Sequence, residues 1–199
     1  MIMFTGIIQA TGTVKDRVET ANGVRVTIAA RALIERLRPA DSVSINGVCQ
    51  TVESIFGDSF VCTAVGETLR RTTVGEWSPG ARVNLEPAAT PETVLGGHLV
   101  QGHVDGVGRV VDFVETKTQD RLLTVELPED LVLYIVEKGS IAIDGMSLTI
   151  ASVSNRTIAI TIVPYTYEKT ITGEYRRGRD VNVEVDIIAK YVRKFVTAS

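Results

Sequence analysis

The chain has 199 residues, of which 44% are apolar, a proportion that allows a folded core. Its formal net charge is -3, and acidic and basic residues are interspersed. The chain therefore lacks the basic block that is typical of nucleic-acid binding. The sequence has two cysteines, no signal-peptide pattern at its start and no run of eighteen apolar residues. These features predict a protein of the reducing cytoplasm without a membrane span, and the charge pattern predicts no nucleic-acid partner.

The first half of the chain predicts short β-strands separated by turns. Residues 24–28 alternate between apolar and polar side chains, as in a strand with one buried face. A short helix is predicted over residues 30–37, because Pro39 stops it. Further strands are predicted over 42–46, 50–55 and 60–65, with turns at Gly47 and 56–59.

The second half of the chain repeats the first. Residues 42–47 align with 140–145, and the register continues without a gap until residues 83–86 meet 181–184. The start of each copy also matches, with Gly6, Gly12 and Val14 falling on Gly102, Gly108 and Val110. The second copy therefore predicts strands over 141–143, 148–153 and 157–163, and a short helix that begins at Pro128.

About six short strands in each copy favour a small closed barrel. The predicted fold class is all-β, with two tandem six-stranded antiparallel Greek-key β-barrels from an internal duplication and a C-terminal α-helix. The barrels are assigned to residues 1–97 and 98–186, and the helix to residues 187–199, where apolar residues recur at helical spacing. Two interpretations of this helix stay open: it packs on its own barrel, or it packs against copies of itself in an oligomer.

Positions at which the copies differ in chemistry indicate candidate site residues, because a duplicated module keeps its fold residues and can specialise its site. The matched pairs are Cys49 and Ser147, Ile7 and His103, Ala88 and Asp186, and Glu67 and Tyr165. Ser147 and Thr149 lie two apart on a strand and so share a face. The alternatives are a satisfied strand hydroxyl for Ser147 and a small buried hydrophobic group for Cys49.

The chain has two histidines, His98 and His103. They lie five residues apart and would face opposite sides of a strand, which disfavours joint metal ligation. No other grouping of His, Cys and Asp has the spacing of metal ligands, so no metal site is predicted.

Five long motifs stand in a fixed order along the chain. They occupy residues 3–8, 44–52, 67–72, 96–106 and 139–150. Together they resemble riboflavin synthase of the α-chain type, a family of tandem lumazine-binding barrels, and the resemblance covers nearly the whole chain.

The resemblance implies a dismutation of two molecules of 6,7-dimethyl-8-ribityllumazine. One molecule donates a four-carbon unit to the other, which gives riboflavin and 5-amino-6-(D-ribitylamino)uracil, with no metal or redox cofactor. It further implies one lumazine in each barrel and a homotrimer whose active site lies between the N-terminal barrel of one subunit and the C-terminal barrel of the next. The tail helix would then be the trimer contact, and an association with a lumazine synthase shell stays open.

The resemblance also implies which residues line the two pockets. The N-barrel pocket would contain Thr5, Gly6 and Ile7 opposite Cys49, Gln50 and Thr51, with Ser42 beside them and Thr63, Ala64, Val65, Gly66, Glu67 and Thr68 closing it. The C-barrel pocket would contain Gly102, His103 and Val104 with Ser147, Leu148, Thr149, Val163, Pro164, Tyr165, Thr166, Tyr167 and Glu168, and Lys138 would lie near the subunit interface.

The implied catalytic residues are Ser147, Asp186, His103, Cys49 and Thr149. Ser147 and Asp186 would orient the reacting lumazine and relay protons, and His103 would act as the base. Cys49 would be a polar contact or a transient nucleophile.

Two features of the N-barrel depart from the family pattern. Gln50 stands where the family usually has Leu, and residues 64–67 differ from the Met-Pro-Glu sequence that the family usually has there. Two alternatives to the enzyme are a non-catalytic lumazine- or flavin-binding antenna protein and the flavin-binding barrel of a reductase. The enzyme is favoured because the second copy retains His98, His103, Ser147 and Asp186.

Overall fold

The first copy forms a seven-stranded antiparallel sheet in the computed structural model, which describes residues 3–197. Its strands are β1 (Ala10–Thr20), β2 (Gly23–Ala29), β3 (Ser42–Ile45), β4 (Val48–Thr51), β5 (Ser54–Phe56), β6 (Ser59–Val65) and β7 (Arg82–Pro87). A short helix, α1 (Gly66–Arg71), follows β6, and single 3-10 turns span Ile34–Arg36 and Thr73–Glu76.

The first sheet has the order β4-β3-β7-β1-β2-β6-β5, and its two ends meet. Strands β4 and β5 are separated only by Val52 and Glu53, and the Glu53 amide donates to the Val61 carbonyl at 2.8 Å. The sheet therefore wraps around a core whose largest members include Ile28, Phe60 and Leu85.

The second copy forms a closed barrel of six strands. These are β8 (Gly106–Glu115), β9 (Arg121–Glu126), β10 (Ser140–Ile143), β11 (Met146–Ser154), β12 (Thr157–Ile162) and β13 (Asp180–Val185), in the ring order β10-β11-β12-β9-β8-β13. Helix α2 (Pro164–Lys169) follows β12, 3-10 turns span Glu129–Tyr134 and Ile171–Glu174, and helix α3 (Ile187–Thr197) ends the described chain.

The predicted fold class, all-β with two tandem antiparallel units and a C-terminal helix, is confirmed. The second unit is the predicted six-stranded barrel, whereas the first has seven strands rather than six. The helix predicted over residues 30–37 is wrong, since only Ile34–Arg36 adopts a 3-10 turn. Leu33 and Leu37 are both buried, and the backbone is already extended at Leu37. A proline disfavours the helical conformation in the residue before it, so the chain is extended ahead of Pro39. The strand predicted over 50–55 is divided into β4 and β5, whereas its counterpart β11 is continuous.

Residues 1, 2, 198 and 199, which belong to the predicted first barrel and tail helix, lie outside the described residues. Between residues 3 and 197, no helix combines the length and apolarity needed to cross a membrane.

The two barrels pack against each other through equivalent turns, Asn46-Gly47 and Asp144-Gly145. A Cβ on Gly47 would lie 2.7 Å from the Gly145 nitrogen, and the reverse distance is also 2.7 Å, so only glycine allows this approach. Nδ2 of the Asn84 side chain donates to the Asp144 carbonyl at 3.0 Å, and Nδ2 of the Asn182 side chain donates to the Asn46 carbonyl at 2.8 Å. Matched side chains thus cross the interface in both directions.

Candidate functional site

The segments that precede the first strand of each copy lie side by side between the barrels. Phe4 and Val100, which occupy matched positions, form an antiparallel bridge with N–H to O distances of 2.7 and 3.2 Å. Beyond this bridge each segment contacts the opposite barrel. The Ser147 amide donates to the Gly6 carbonyl, and the Cys49 amide donates to the Gly102 carbonyl, both at 2.8 Å.

This crossing corrects the predicted pairing within the pockets. Gly6 and Ile7 lie against Ser147 of the second barrel rather than against Cys49, and Gly102 and His103 lie against Cys49 rather than against Ser147. The apolar residues of the two segments follow the same rule. Ile8 packs on the core of the second barrel, and Val104 packs on the core of the first.

The close approach of the crossing segments requires glycine. Gly6 and Gly102 have φ values of +74° and +75°, in the left-handed region. A Cβ on Gly6 would lie 2.6 Å from the Ser147 Cβ, and a Cβ on Gly97 would lie 2.2 Å from the Thr5 carbonyl oxygen. These glycines let three backbone segments meet at the Ser147 side chain.

The C-barrel pocket is the cavity at this meeting point, with a volume of about 120 Å³. It is lined by Gly6, Ile7, Ile8, Met146, Ser147, Tyr165, Thr166, Lys169 and Thr170. The Ser147 hydroxyl lies 2.7 Å from Nδ1 of His98, within hydrogen-bond distance. A hydroxyl in contact with an imidazole can pass a proton to it or receive one.

Burial sets the protonation state of His98. His98 is 9% exposed, and desolvation lowers its pKa below the ordinary value of 6.5, while the nearby negative charge of Asp186 opposes this shift. The ring is therefore neutral at pH 7 and can accept a proton.

His98 was not among the predicted site residues. The signal for it was the Gly96-Gly97-His98 motif, since paired glycines beside a histidine mark a close approach of the backbone. The spacing of the two histidines does not indicate that they lie beside different barrels, because that depends on the crossing of the two segments in the folded chain.

Asp186 lies at the start of α3 and acts on His98 through its charge. Its Oδ1 accepts from the Ile188 amide at 2.9 Å and so caps the helix. Asp186 lines the groove beneath α3 rather than the C-barrel pocket.

The N-barrel pocket is the matched cavity of the first barrel, with a volume of about 230 Å³. It is lined by Val48, Cys49, Glu67, Thr68, Arg71, Thr72, Gly102, His103 and Val104. His103 is exposed at this cavity, and Glu67 is held by ion pairs to Arg70 and Arg71.

The Cys49 thiol is half-buried in the N-barrel pocket. Burial raises its pKa above 9.0, the Glu184 charge adds to this rise, and a hydrogen bond with Ser42 opposes it. The group is therefore a protonated thiol at neutral pH, which favours a polar contact over a nucleophile.

Several predicted site residues do not line either pocket. Ala64 and Gln50 are buried, with Gln50 opposite Val43 on the neighbouring strand. Tyr167 packs against Phe113, with a centroid distance of 6.2 Å. Ser42 lies in a separate cavity with Ala88. The others outside the two pockets are Thr5, Thr51, Thr63, Val65, Gly66, Lys138, Leu148, Thr149, Val163, Pro164 and Glu168.

Comparison with known proteins identifies both barrels. The lumazine binding domain family matches residues 5–88 and 101–186. Riboflavin synthase of Mycobacterium tuberculosis is 38% identical, over 99% of this chain and 100% of its own, and riboflavin synthase of Bacillus subtilis is 35% identical, over 98% and 90%.

Solved structures of the protein LumP share the fold. LumP complexed with 6,7-dimethyl-8-(1'-D-ribityl) lumazine superposes with a TM-score of 0.83 at 28% identity, over 92% of this chain and 99% of that one. LumP complexed with riboflavin superposes with a TM-score of 0.85 at 29% identity, over the same shares.

Proposed function

Because this chain belongs to the riboflavin synthase family of lumazine-binding proteins and is an enzyme of the transferase type, we propose that it catalyses the dismutation of 6,7-dimethyl-8-ribityllumazine. One molecule transfers a four-carbon unit to a second, which yields riboflavin and 5-amino-6-(D-ribitylamino)uracil. The observation that carries the proposal is the contact of 2.7 Å between Ser147 and His98 at the C-barrel pocket.

Two pockets of the same construction suit a reaction between two identical substrates. Each is bordered by a strand of one barrel and the crossing segment of the other, as the Gly6–Ser147 and Gly102–Cys49 contacts show. Holding two flat rings at a fixed separation replaces a chance encounter in solution, and such positioning can supply much of the rate enhancement.

The C-barrel pocket carries the groups suited to proton transfer. The 7-methyl group of lumazine is acidic and must lose a proton before a carbon–carbon bond can form. Neutral His98 is the base in this proposal, with Ser147 as the hydroxyl that relays the proton and Asp186 as the charge that tunes the imidazole. His103, predicted as the base, lines the N-barrel pocket with Cys49. In this proposal both residues would contact the second lumazine.

The proposal includes the assembly in which the pockets meet. The predicted homotrimer would bring the N-barrel of one subunit against the C-barrel of the next, with α3 as the contact between subunits. We also propose that the enzyme acts in the cytoplasm. Association with a lumazine synthase shell would shorten the path of its substrate.

Incubation of the purified protein with 6,7-dimethyl-8-ribityllumazine alone tests the activity. We expect the absorbance of riboflavin to appear without any added cofactor. The likeness to LumP, which was solved with lumazine and with riboflavin bound, supports a non-catalytic lumazine- or flavin-binding protein as the second candidate. Tight, fluorescent binding of lumazine without product would establish that candidate instead.

A further inference from the structure

Two glutamates at matched positions, Glu86 on β7 and Glu184 on β13, are buried between the barrels at 3% and 2% exposure. Neither forms an ion pair within the described residues 3–197. A buried carboxylate is costly unless hydrogen bonds satisfy it. What these two groups bond to therefore indicates why they are present.

Glu86 holds the first crossing segment. Its Oε1 accepts from the Thr5 amide and the Thr5 hydroxyl, each at 2.7 Å, and its Oε2 accepts from the Gly6 amide at 3.0 Å. Three donors fix this segment to the N-barrel, and the Gly6 carbonyl on the other side of the same residue accepts from Ser147.

Glu184 holds the second crossing segment in the same way. Its Oε1 accepts from the Gln101 amide at 2.7 Å, and its Oε2 accepts from the Gly102 amide at 2.9 Å. The Gly102 carbonyl accepts from the Cys49 amide in the N-barrel pocket. The charge of Glu184 also reaches that pocket, where it contributes to the raised pKa of the Cys49 thiol.

We propose that Glu86 and Glu184 are crossed positioning residues, each of which sets the geometry of the pocket in the opposite barrel. Glu86 of the N-barrel places Gly6 against Ser147 and so supports the contact with His98. Glu184 of the C-barrel places Gly102 against Cys49 and so orients the adjoining His103. The effect of these glutamates on catalysis rests on the proposed activity, but their effect on the geometry of the two pockets can be measured without turnover.

Glu86→Gln and Glu184→Gln form a matched pair of variants. An amide has one oxygen acceptor, so the substitution preserves the bonds made by Oε1 and loses the bond from Gly6 or from Gly102. Because the chain has only two histidines, the imidazole resonances of His98 and His103 report the two pockets separately. We expect Glu86→Gln to move the His98 resonances alone and Glu184→Gln to move the His103 resonances alone.

Alkylation of Cys49 by iodoacetamide at pH 7.5 gives a second local measure. The other cysteine, Cys62, is fully buried with a pKa raised to about 12, so it contributes no signal in the folded protein. Glu184→Gln removes a negative charge near the Cys49 thiol and loosens its backbone contact, and we expect the rate to rise at least threefold. Glu86→Gln should leave the rate within twofold.

Steady-state kinetics add a readout that a purely structural role would not move. Glu86→Gln should lower kcat at least tenfold, since it disturbs the proton-transfer groups, with KM changed less than threefold. Glu184→Gln should mainly raise KM. Thr5→Val provides a milder variant if Glu86→Gln fails to fold, because it removes one donor to Glu86 and should move the His98 resonances in the same direction.

The proposal would be overturned if each variant changed only the pocket in the barrel that carries the substituted glutamate. Equal changes at both histidines in both variants would also overturn it, because they would indicate a general loss of packing. Crossed spectral effects in a protein that makes no riboflavin would support the positioning roles while contradicting the proposed function.

Discussion

The contact between Ser147 and His98 joins two residues that are 49 positions apart in the sequence. Gly6 and Gly97 approach so closely that a Cβ on either would lie 2.6 Å from the Ser147 Cβ. A serine hydroxyl is a weak acid and a weak base, and it becomes useful in proton transfer only when a second group is held beside it. The chemistry therefore depends on backbone geometry as much as on the two side chains.

Replacement of Ser147 by alanine should lower kcat by about 10²-fold or more, the range lost when a proton-transfer group is removed. Rapid-quench measurement of riboflavin formation checks this value. Cys49→Ser, at the matched position of the other copy, is the control and should cost less than about tenfold. Equal losses in the two variants would contradict the assignment of proton transfer to the C-barrel pocket.

The fall of kcat on the acidic side of its pH profile, the acidic limb, should follow the protonation of His98. Because burial lowers the pKa of His98, the neutral base persists below pH 6.5, and kcat should fall only at lower pH. Asp186→Asn should move this limb to still lower pH, since Asp186 raises the pKa of His98. Asparagine retains the helix cap. A limb that moves to higher pH in this variant would contradict the role of Asp186.

At the scale of elements, the two matched turns between the barrels differ in one ionisable group. Asp144 occupies the position of Asn46 and is fully buried, accepting from the Tyr175 hydroxyl at 2.7 Å and the Asn182 amide at 2.8 Å. Burial raises the pKa of Asp144 to about 6 despite these bonds and the nearby charge of Arg179. Ionisation of the Asp144 carboxyl group in this turn therefore opposes folding.

The free energy of unfolding should fall as the pH rises from about 4 to 6, because the folded state retains a proton on Asp144 that the unfolded chain releases. A shift from 3.8 to about 6 corresponds to at most about 3 kcal/mol. Urea unfolding across this range should show a flatter dependence for Asp144→Asn, with greater stability at pH 7.5. Asn46→Asp is the reciprocal control and should lose stability at pH 7.5. An unchanged slope in Asp144→Asn would contradict this account.

The elements that could be predicted from the sequence are those with a repeated or periodic pattern. Matched motifs in the two copies predicted the duplication, and short apolar runs bounded by turn residues predicted strands at β2 to β6 except for the break between β4 and β5, and at β10 to β12. Helices α1 and α2 were missed because six residues are too few to show a helical period. The crossing of the segments at Gly6 and Gly102 could not be predicted, since it depends on which barrel each segment contacts in the folded chain.

At the scale of the whole molecule, α3 presents apolar side chains that its own barrel leaves uncovered. Ile188, Val192 and Val196 are 58%, 56% and 71% exposed, and they border a groove completed by Leu133 and Val136. Exposed apolar residues on one element indicate a contact with another chain. Of the two interpretations of this helix, the one that places it between subunits has the greater support.

The double variant Val192→Asp/Val196→Asp should dissociate the proposed trimer, because two charges would be buried in an apolar contact. Light scattering coupled to size-exclusion chromatography should show the mass fall from three chains to one. Activity should fall with it, since each site would lose the barrel of the neighbouring subunit. Lys194→Ala is the control on the same helix and should remain trimeric. A wild-type chain that is already monomeric and active would contradict the proposed assembly.

The central claim is that two identical molecules react with each other at the pockets between crossed segments. The most direct test is a quenched time course with 6,7-dimethyl-8-ribityllumazine as the sole reactant, in which substrate and both products are quantified by chromatography. We expect one riboflavin and one 5-amino-6-(D-ribitylamino)uracil for every two lumazines consumed, at every time point. Lumazine that is bound but not consumed, or riboflavin without an equal amount of the pyrimidine, would contradict the claim.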